Sequence, residues 1–206
     1  ADLSEHQAPL KLYEMTESHG WFVETLVNNA GLGALGPFAI SPWQKQAEMI
    51  QVNITALTEL TRLYLPSMMA KKSGKILNVA STAAFQSGPL MSVYYATKAY
   101  VLSFSEGLYE ELQGSGVSVT ALCPGPTESN FAATAGADKV LVFRALNLPS
   151  SREVAEYGYR ALQKGKAVAV HGMTNKIGVI GGKIVPRFLP RKIVHCLQRK
   201  RGDDPT

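Results

Sequence analysis

Gly74-Lys75-Ile76-Leu77-Asn78-Val79-Ala80-Ser81 decides the fold. It is a short, nearly continuous apolar run opening on a glycine and closing on a small polar residue. Such a run reads as a strand buried on both faces. Strands of that kind belong to parallel sheets covered by helices, and ligands bind at their carboxyl ends. The Ser81 hydroxyl stands at that end. Tyr94 follows it by 13 positions, in Ser92-Val93-Tyr94-Tyr95-Ala96-Thr97-Lys98-Ala99. Tyr94 and Lys98 are four apart, so they share one helix face a single turn from each other. A nearby cation favours the phenolate and lowers the phenol's pKa, which makes Tyr94 a usable proton donor or acceptor near neutral pH. The three groups together suit hydrogen transfer at a C–O centre.

Upstream of this pair, Ala8 to His19 is a roughly amphipathic helix that Gly20 can close. Phe22 to Val27 reads as a buried strand ending in Asn28-Asn29-Ala30-Gly31. After a Gly- and Pro-rich loop, Ser41-Pro42 supplies an N-cap and a first-turn proline. The helix that follows carries Ala47, Ile50, Ile54, Leu57, Leu60, Tyr64 and Leu65 close to the helical period. Pro66 is expected to bend its last part. Downstream, a small-residue loop over Thr82 to Met91 leads to a helix from about Val93 to Leu112. Val117 to Cys123 reads as a strand that Pro124-Gly125-Pro126 ends. Glu128 to Leu148 is irregular. Ser150-Ser151-Arg152-Glu153 is a capping box for a helix to about Gln163. Ala167 to Val170 is a short strand, and the rest is expected to be a surface-packed segment with a short final helix. Helices and strands alternate throughout, which predicts an α/β fold with a parallel sheet covered on both faces. No repeat or linker divides the chain, so residues 1–206 read as one domain with a basic tail over 173–206.

A chain of 206 residues can bury a sizeable core, and 46% apolar content is ordinary for a globular protein. The net charge of +5 is concentrated late, in Arg187, Arg191, Lys192, Arg199, Lys200 and Arg201. That tail reads as a solvated terminus. Contact with an acidic surface or a membrane is the alternative, supported by Ile177, Val179, Ile180, Ile184, Val185, Phe188 and Leu189. No aromatic residues interleave with the basic ones, which argues against nucleic acid. Cys123 and Cys196 show no close pairing, as fits a reducing compartment, and a cytoplasmic location is expected. His6, His19, His171 and His195 lack metal-ligand spacing, so no metal is expected. The sequence has no run long enough to span a membrane and no signal peptide. The chain opens Ala1-Asp2-Leu3-Ser4 with no Met, and is expected to start in the middle of something larger.

Several motifs occur in order: Leu26-Val27-Asn28-Asn29-Ala30-Gly31, Asn53 in Val52-Asn53-Ile54-Thr55, Ser81 after Asn78-Val79-Ala80, Tyr94-x-x-x-Lys98, and Pro124-Gly125. Any one is weak, but as an ordered set over roughly Ala1 to Gly172 the chain resembles the classical short-chain dehydrogenase/reductase family. The resemblance implies a three-layer, doubly wound, Rossmann-like sheet that binds NADP or NAD. It implies hydride transfer between that cofactor and a carbonyl or secondary alcohol. Tyr94 would be the acid/base. Lys98 would lower the Tyr94 pKa and bind the nicotinamide ribose, and Ser81 would polarise the carbonyl. Asn53 would anchor a water of a proton relay. Asn28, Ala30 and Gly31 would line the adenine-ribose side, and Asp2 would contact adenine. Pro124, Gly125, Thr127 and Ser129 would fix the carboxamide. The segment Asn130 to Leu148, where the family places its lid, holds Phe131, Val140, Leu141, Val142, Phe143 and Leu146. That favours an apolar substrate such as a 3-oxoacyl or steroid-like ketone. Pairing of the two long helices, with their stripes of Leu57, Leu60, Val101, Phe104 and Leu108, implies a homo-oligomer.

The family's opening strand and its phosphate-binding turn, Thr-Gly-x-x-x-Gly-x-Gly, are absent from this sequence, as is the following strand. The expected sheet therefore lacks its first strands and leaves an apolar edge at the strand ending in Val27. Two functional readings follow: an oxidoreductase, or a catalytically incompetent remnant acting as a scaffold or interaction module. Gly31-Leu32-Gly33-Ala34-Leu35-Gly36 spells G-x-G-x-x-G, but Pro37 follows it and the helix start is at Ser41, so it reads as a loop. Gly178 to Lys183 has the wrong glycine spacing for a P-loop.

Overall fold

The sheet follows the order of the chain: β1 (Thr25–Asn28), β2 (Gly74–Val79), β3 (Val117–Cys123) and β4 (Val168–Val170), every neighbouring pair parallel. The computed structural model describes residues 1–138, 140, 147–186 and 188–198. Helix α1 (Ala8–Ser18) precedes β1. Between β1 and β2 come α2 (Trp43–Ile50), a π-helical turn over Gln51–Ala56, and α3 (Leu57–Ala70). Helix α4 (Ser92–Glu111) links β2 to β3, and α5 (Phe131–Thr134) and α6 (Ser151–Gln163) lie between β3 and β4. Helices α7 (Met173–Ile184) and α8 (Phe188–Gln198) end the described chain.

Side-chain alternation along the strands sorts the core into two layers of contact. Ile76 and Val119 pack with Leu60, Tyr64 and Met68 of α3. Ala121 and Cys123 meet Leu57, Val101 and Leu102 of α3 and α4 on the same face. Leu77 and Leu122 point the other way, onto Val154, Ala161 and Leu162 of α6. Helix α1 joins the first layer, where the Thr16 hydroxyl and the Tyr64 phenol are 3.0 Å apart. The result is a three-layer, doubly wound, Rossmann-like α/β sheet, and burial from both sides is why β2 and β3 read as apolar runs.

Polar side chains thread this core. Asn28 Nδ2 donates to Asn78 Oδ1 at 2.8 Å and to Thr61 Oγ1 at 3.2 Å. Asn78 Nδ2 donates to Ser105 Oγ at 2.9 Å, and the Ser105 hydroxyl donates to the Val101 carbonyl at 2.7 Å. Two strands and two helices are thus tied by satisfied buried hydrogen bonds.

Several elements differ from the sequence expectation. The first strand begins at Thr25 instead of Phe22, because β1 pairs on one side only and starts where Lys75 of β2 faces it. As an edge strand it leaves Val27 51% exposed. The Ser41 hydroxyl donates to the Pro37 carbonyl at 2.8 Å, so Pro42, with no capping side chain, holds the cap position of α2. The irregularity in the long helix sits at the π-helical turn around Asn53, and Pro66 lies within α3. Ser150 does cap α6, accepting the Glu153 N–H at 3.2 Å. Where a surface segment was expected, Met173–Ile184 is helical despite Gly178, Gly181 and Gly182. Each such glycine costs about 1 kcal/mol relative to alanine, which is why the pattern hides the helix. Among the described residues no helix is long and apolar enough to cross a membrane.

Candidate active site

The carboxyl ends of β2 and β3 open onto a cavity of about 630 Å³, and Ser81, Tyr94 and Lys98 all line it. Ser81 leaves β2 in extended conformation, and its Oγ accepts the Ala83 N–H at 3.1 Å, capping the turn over Thr82–Phe85. The same oxygen lies 3.4 Å from the Pro124 carbonyl. Tyr94 is in the first turn of α4, and its side chain lines the cavity together with Ser81. The Tyr94 ring packs against Phe131 at 5.2 Å and Tyr95 at 6.0 Å, centroid to centroid.

Lys98 is buried, and its Nζ donates to the Val79 carbonyl at 2.8 Å. Burial pulls its pKa down to about 8, with Cys123 opposing the fall. Burial pushes the Tyr94 phenol up, and the nearby Ser81 hydroxyl opposes that rise. This corrects the sequence expectation that Lys98 lowers the Tyr94 pKa. The ammonium sits 5.9 Å from the centre of the Tyr94 ring and is committed to Val79, so desolvation outweighs its pull.

Asn53, expected as a water anchor, holds protein groups with its side chain. Its Oδ1 accepts the Leu32 N–H at 2.8 Å, and its Nδ2 donates to the Leu32 carbonyl and to Thr97 Oγ1, both at 2.9 Å. The Thr97 hydroxyl in turn donates to the Tyr94 carbonyl at 2.7 Å. The side chain spends both N–H groups on clamping the Gly31–Gly33 loop to the first turn of α4. A polar residue in mid-helix, unfavourable by propensity, is explained by that clamp.

The remaining candidates divide between two hollows. Gly31 lines the large cavity, and a Cβ there would stand 3.4 Å from Lys98 Nζ and 3.5 Å from Asn53 Oδ1. Pro124, Gly125, Thr127 and Ser129 also line it. The Thr127 hydroxyl donates to the Gly125 carbonyl at 3.0 Å, and Ser129 Oγ accepts the Phe131 N–H at 3.3 Å. Gly125 has no room for a Cβ, which would meet the Asn175 side chain at 2.5 Å. Asn28 and Ala30 line instead a hollow of about 160 Å³ beside β1, with Leu3 and Val27, and Asn29 borders both spaces. The Asn28 amide is occupied inside the core. Asp2 lines neither hollow. Its carboxylate accepts the Ser4 backbone N–H at 2.9 Å and the Ser4 hydroxyl at 2.8 Å, which hold its pKa below the usual range.

The G-x-G-x-x-G string is a loop with its donors in use: Leu32 N–H goes to Asn53, Leu35 N–H to Ala135 and Gly36 N–H to Leu90. Gly178 to Lys183 lies inside α7. Of the expected lid, 141–146 lie outside the described residues, and Phe131 and Val140 pack with Met91, Tyr94 and Tyr95 over the cavity. Among the described residues no group of three His, Cys, Asp or Glu could hold a metal ion.

Sequence reasoning missed the wall supplied by α8. Val194, Leu197 and Gln198 line the large cavity, and Gln198 Nε2 donates to the Tyr95 phenol at 2.8 Å. Gln198 is 4% exposed, and its Oε1 has no hydrogen-bond partner among the described residues. Burial pushes Tyr95 up to about 12, helped by Tyr94 and opposed by Gln198. A contact spanning 103 positions leaves no local signal.

The model of a family described as short chain dehydrogenase matches residues 1–140. A short chain dehydrogenase of Pseudocercospora fijiensis is 39% identical over 137 residues, covering 64% of this chain and 43% of that protein. The chain spans between 36% and 48% of the length of the first relatives it matches. Among solved structures, a short-chain dehydrogenase from Sphingobium yanoikuyae in complex with NADPH is 27% identical, with a TM-score of 0.75 over 89% of this chain and 71% of that one. The 3-ketoacyl-(acyl-carrier-protein) reductase from Brucella melitensis complexed with NADH is 28% identical, with a TM-score of 0.70 over 82% of this chain and 74% of that one.

Proposed function

This chain belongs to the short chain dehydrogenase family, and from that premise we propose that it is an oxidoreductase moving a hydride between NADP or NAD and a carbonyl or secondary alcohol. The observation that carries the reading is the convergence of Ser81, Tyr94 and Lys98 on one cavity at the carboxyl ends of β2 and β3. The relatives solved with NADPH and NADH support the cofactor class. Bound nicotinamide supplies or accepts the hydride. Lys98 would hold the adjoining ribose, while Thr127 and Ser129, with the Pro124–Gly125 backbone, would hold the carboxamide. Ser81 fixes the substrate oxygen, and Tyr94 gives or takes its proton. Desolvation keeps the Tyr94 phenol protonated, as a donor to a carbonyl requires. Met91, Phe131, Val154, Val194 and Leu197 make the substrate side apolar, so the substrate is an apolar ketone or its alcohol.

The test is turnover of a panel of apolar ketones with NADPH and NADH. Tyr94→Phe abolishes turnover and Tyr95→Phe leaves much of it. Equal losses would overturn the assignment. The alternative to this reading is a non-catalytic scaffold of the same fold. Titration of NADPH and NADH into the chain separates the two, since tight binding sinks the scaffold reading.

A further inference from the structure

Helices α7 and α8 present one face inward and another outward. Inward, Val194 and Gln198 are buried against the cavity. Outward, Met173, Ile177, Ile180 and Ile184 recur at helical spacing and are 60–78% exposed. The apolar surface continues through the turn in Val185 and Phe188 and along α8 in Ile193, all exposed. Monomeric proteins rarely leave so long an apolar stripe in water.

Charge decides what covers it. From Tyr157 to Gly202 the sequence contains no Asp or Glu, yet it holds Lys176, Lys183, Arg187, Arg191 and Lys192 among its basic residues. Arg191 and Lys192 are exposed beside the apolar stripe. A second copy of the chain would set this cationic face against itself and repel. An anionic lipid surface takes up both features, accepting the isoleucines among its acyl chains and the cations at its headgroups.

We infer that the outer face of α7 and α8 docks on an anionic lipid surface, lying in the interface without crossing it. Docking places the α8 wall of the cavity next to the bilayer, where apolar molecules are concentrated. The inference stands on the surface alone and does not depend on the oxidoreductase reading.

The experiment is co-sedimentation of the folded chain with sucrose-loaded vesicles of phosphatidylcholine, with and without phosphatidylglycerol. The chain is expected to pellet with the phosphatidylglycerol vesicles, to be released by added salt, and to bind phosphatidylcholine alone far more weakly. Ile180→Glu and Ile184→Glu, at exposed positions that leave the fold intact by melting temperature, each weaken binding by about tenfold or more. Arg191→Gln and Lys192→Gln each weaken it about fivefold. Failure to pellet with phosphatidylglycerol vesicles, equal binding to both vesicle types, or indifference to Ile184→Glu overturns the inference. Self-association that Ile184→Glu abolishes, without vesicle binding, also overturns it and assigns the face to a second copy.

Discussion

The cavity has two unlike walls. The wall made by β2, α4 and the Gly31 loop is fixed by buried ties: the three hydrogen bonds of Asn53 and the Lys98 bond to Val79. The wall made by α8 is held by apolar contact and by the hydrogen bond from Gln198 to Tyr95. Groups that must meet a reacting atom within a few tenths of an ångström belong on the first kind of wall. The second kind suits selection and exchange of what enters.

Breaking the fixed wall at its reacting end gives the largest effect. Tyr94→Phe is expected to lower kcat by about 10²–10⁴-fold with the melting temperature unchanged. Next comes Asn53→Ala, which strands the Leu32 N–H and carbonyl. Denaturant unfolding should show a loss of about 3 kcal/mol, and the loop beside Lys98 should lose amide-exchange protection. Lys98→Met acts in the opposite direction. Burial lowers the Lys98 pKa from 10.5 to about 8, so between those values the unfolded chain binds the extra proton and stability rises with pH. Below about 8 the buried charge exerts its full cost. The variant should gain on the order of 2 kcal/mol at pH 7 after losing the Val79 bond, and should lose the rise with pH while losing activity. The smallest effect belongs to the looser wall. Gln198→Ala should change stability by about 1 kcal/mol or less and shift KM for bulky ketones with little change in kcat. A large drop in kcat for Gln198→Ala would erase the contrast between the walls.

Legibility in the sequence followed the range of the interactions. Val117–Cys123 was readable to the residue because a run buried on both faces announces itself, and the α6 cap was readable because Ser150 and Glu153 are three apart. Ser81, Tyr94 and Lys98, read from spacing on one helix and one strand, line one cavity. The π-helical turn left no local signal, since the clamp that Asn53 makes with Leu32 lies 21 positions away. The sign of the Tyr94 shift was misjudged because spacing reveals a neighbouring charge but not the loss of water. Helix α7 was hidden by its glycines, and α8 as a cavity wall by distance along the chain.

The Asn28–Asn78 amide pair has a consequence for how the sheet assembles. These residues face each other directly across β1 and β2, strands that are otherwise almost interchangeable apolar runs. A slip of two residues would set the Asn28 amide against Ile76 or Ala80 and strand it in a dry interior. The pair therefore acts as a key that admits a single alignment, trading some stability for certainty about where β1 docks.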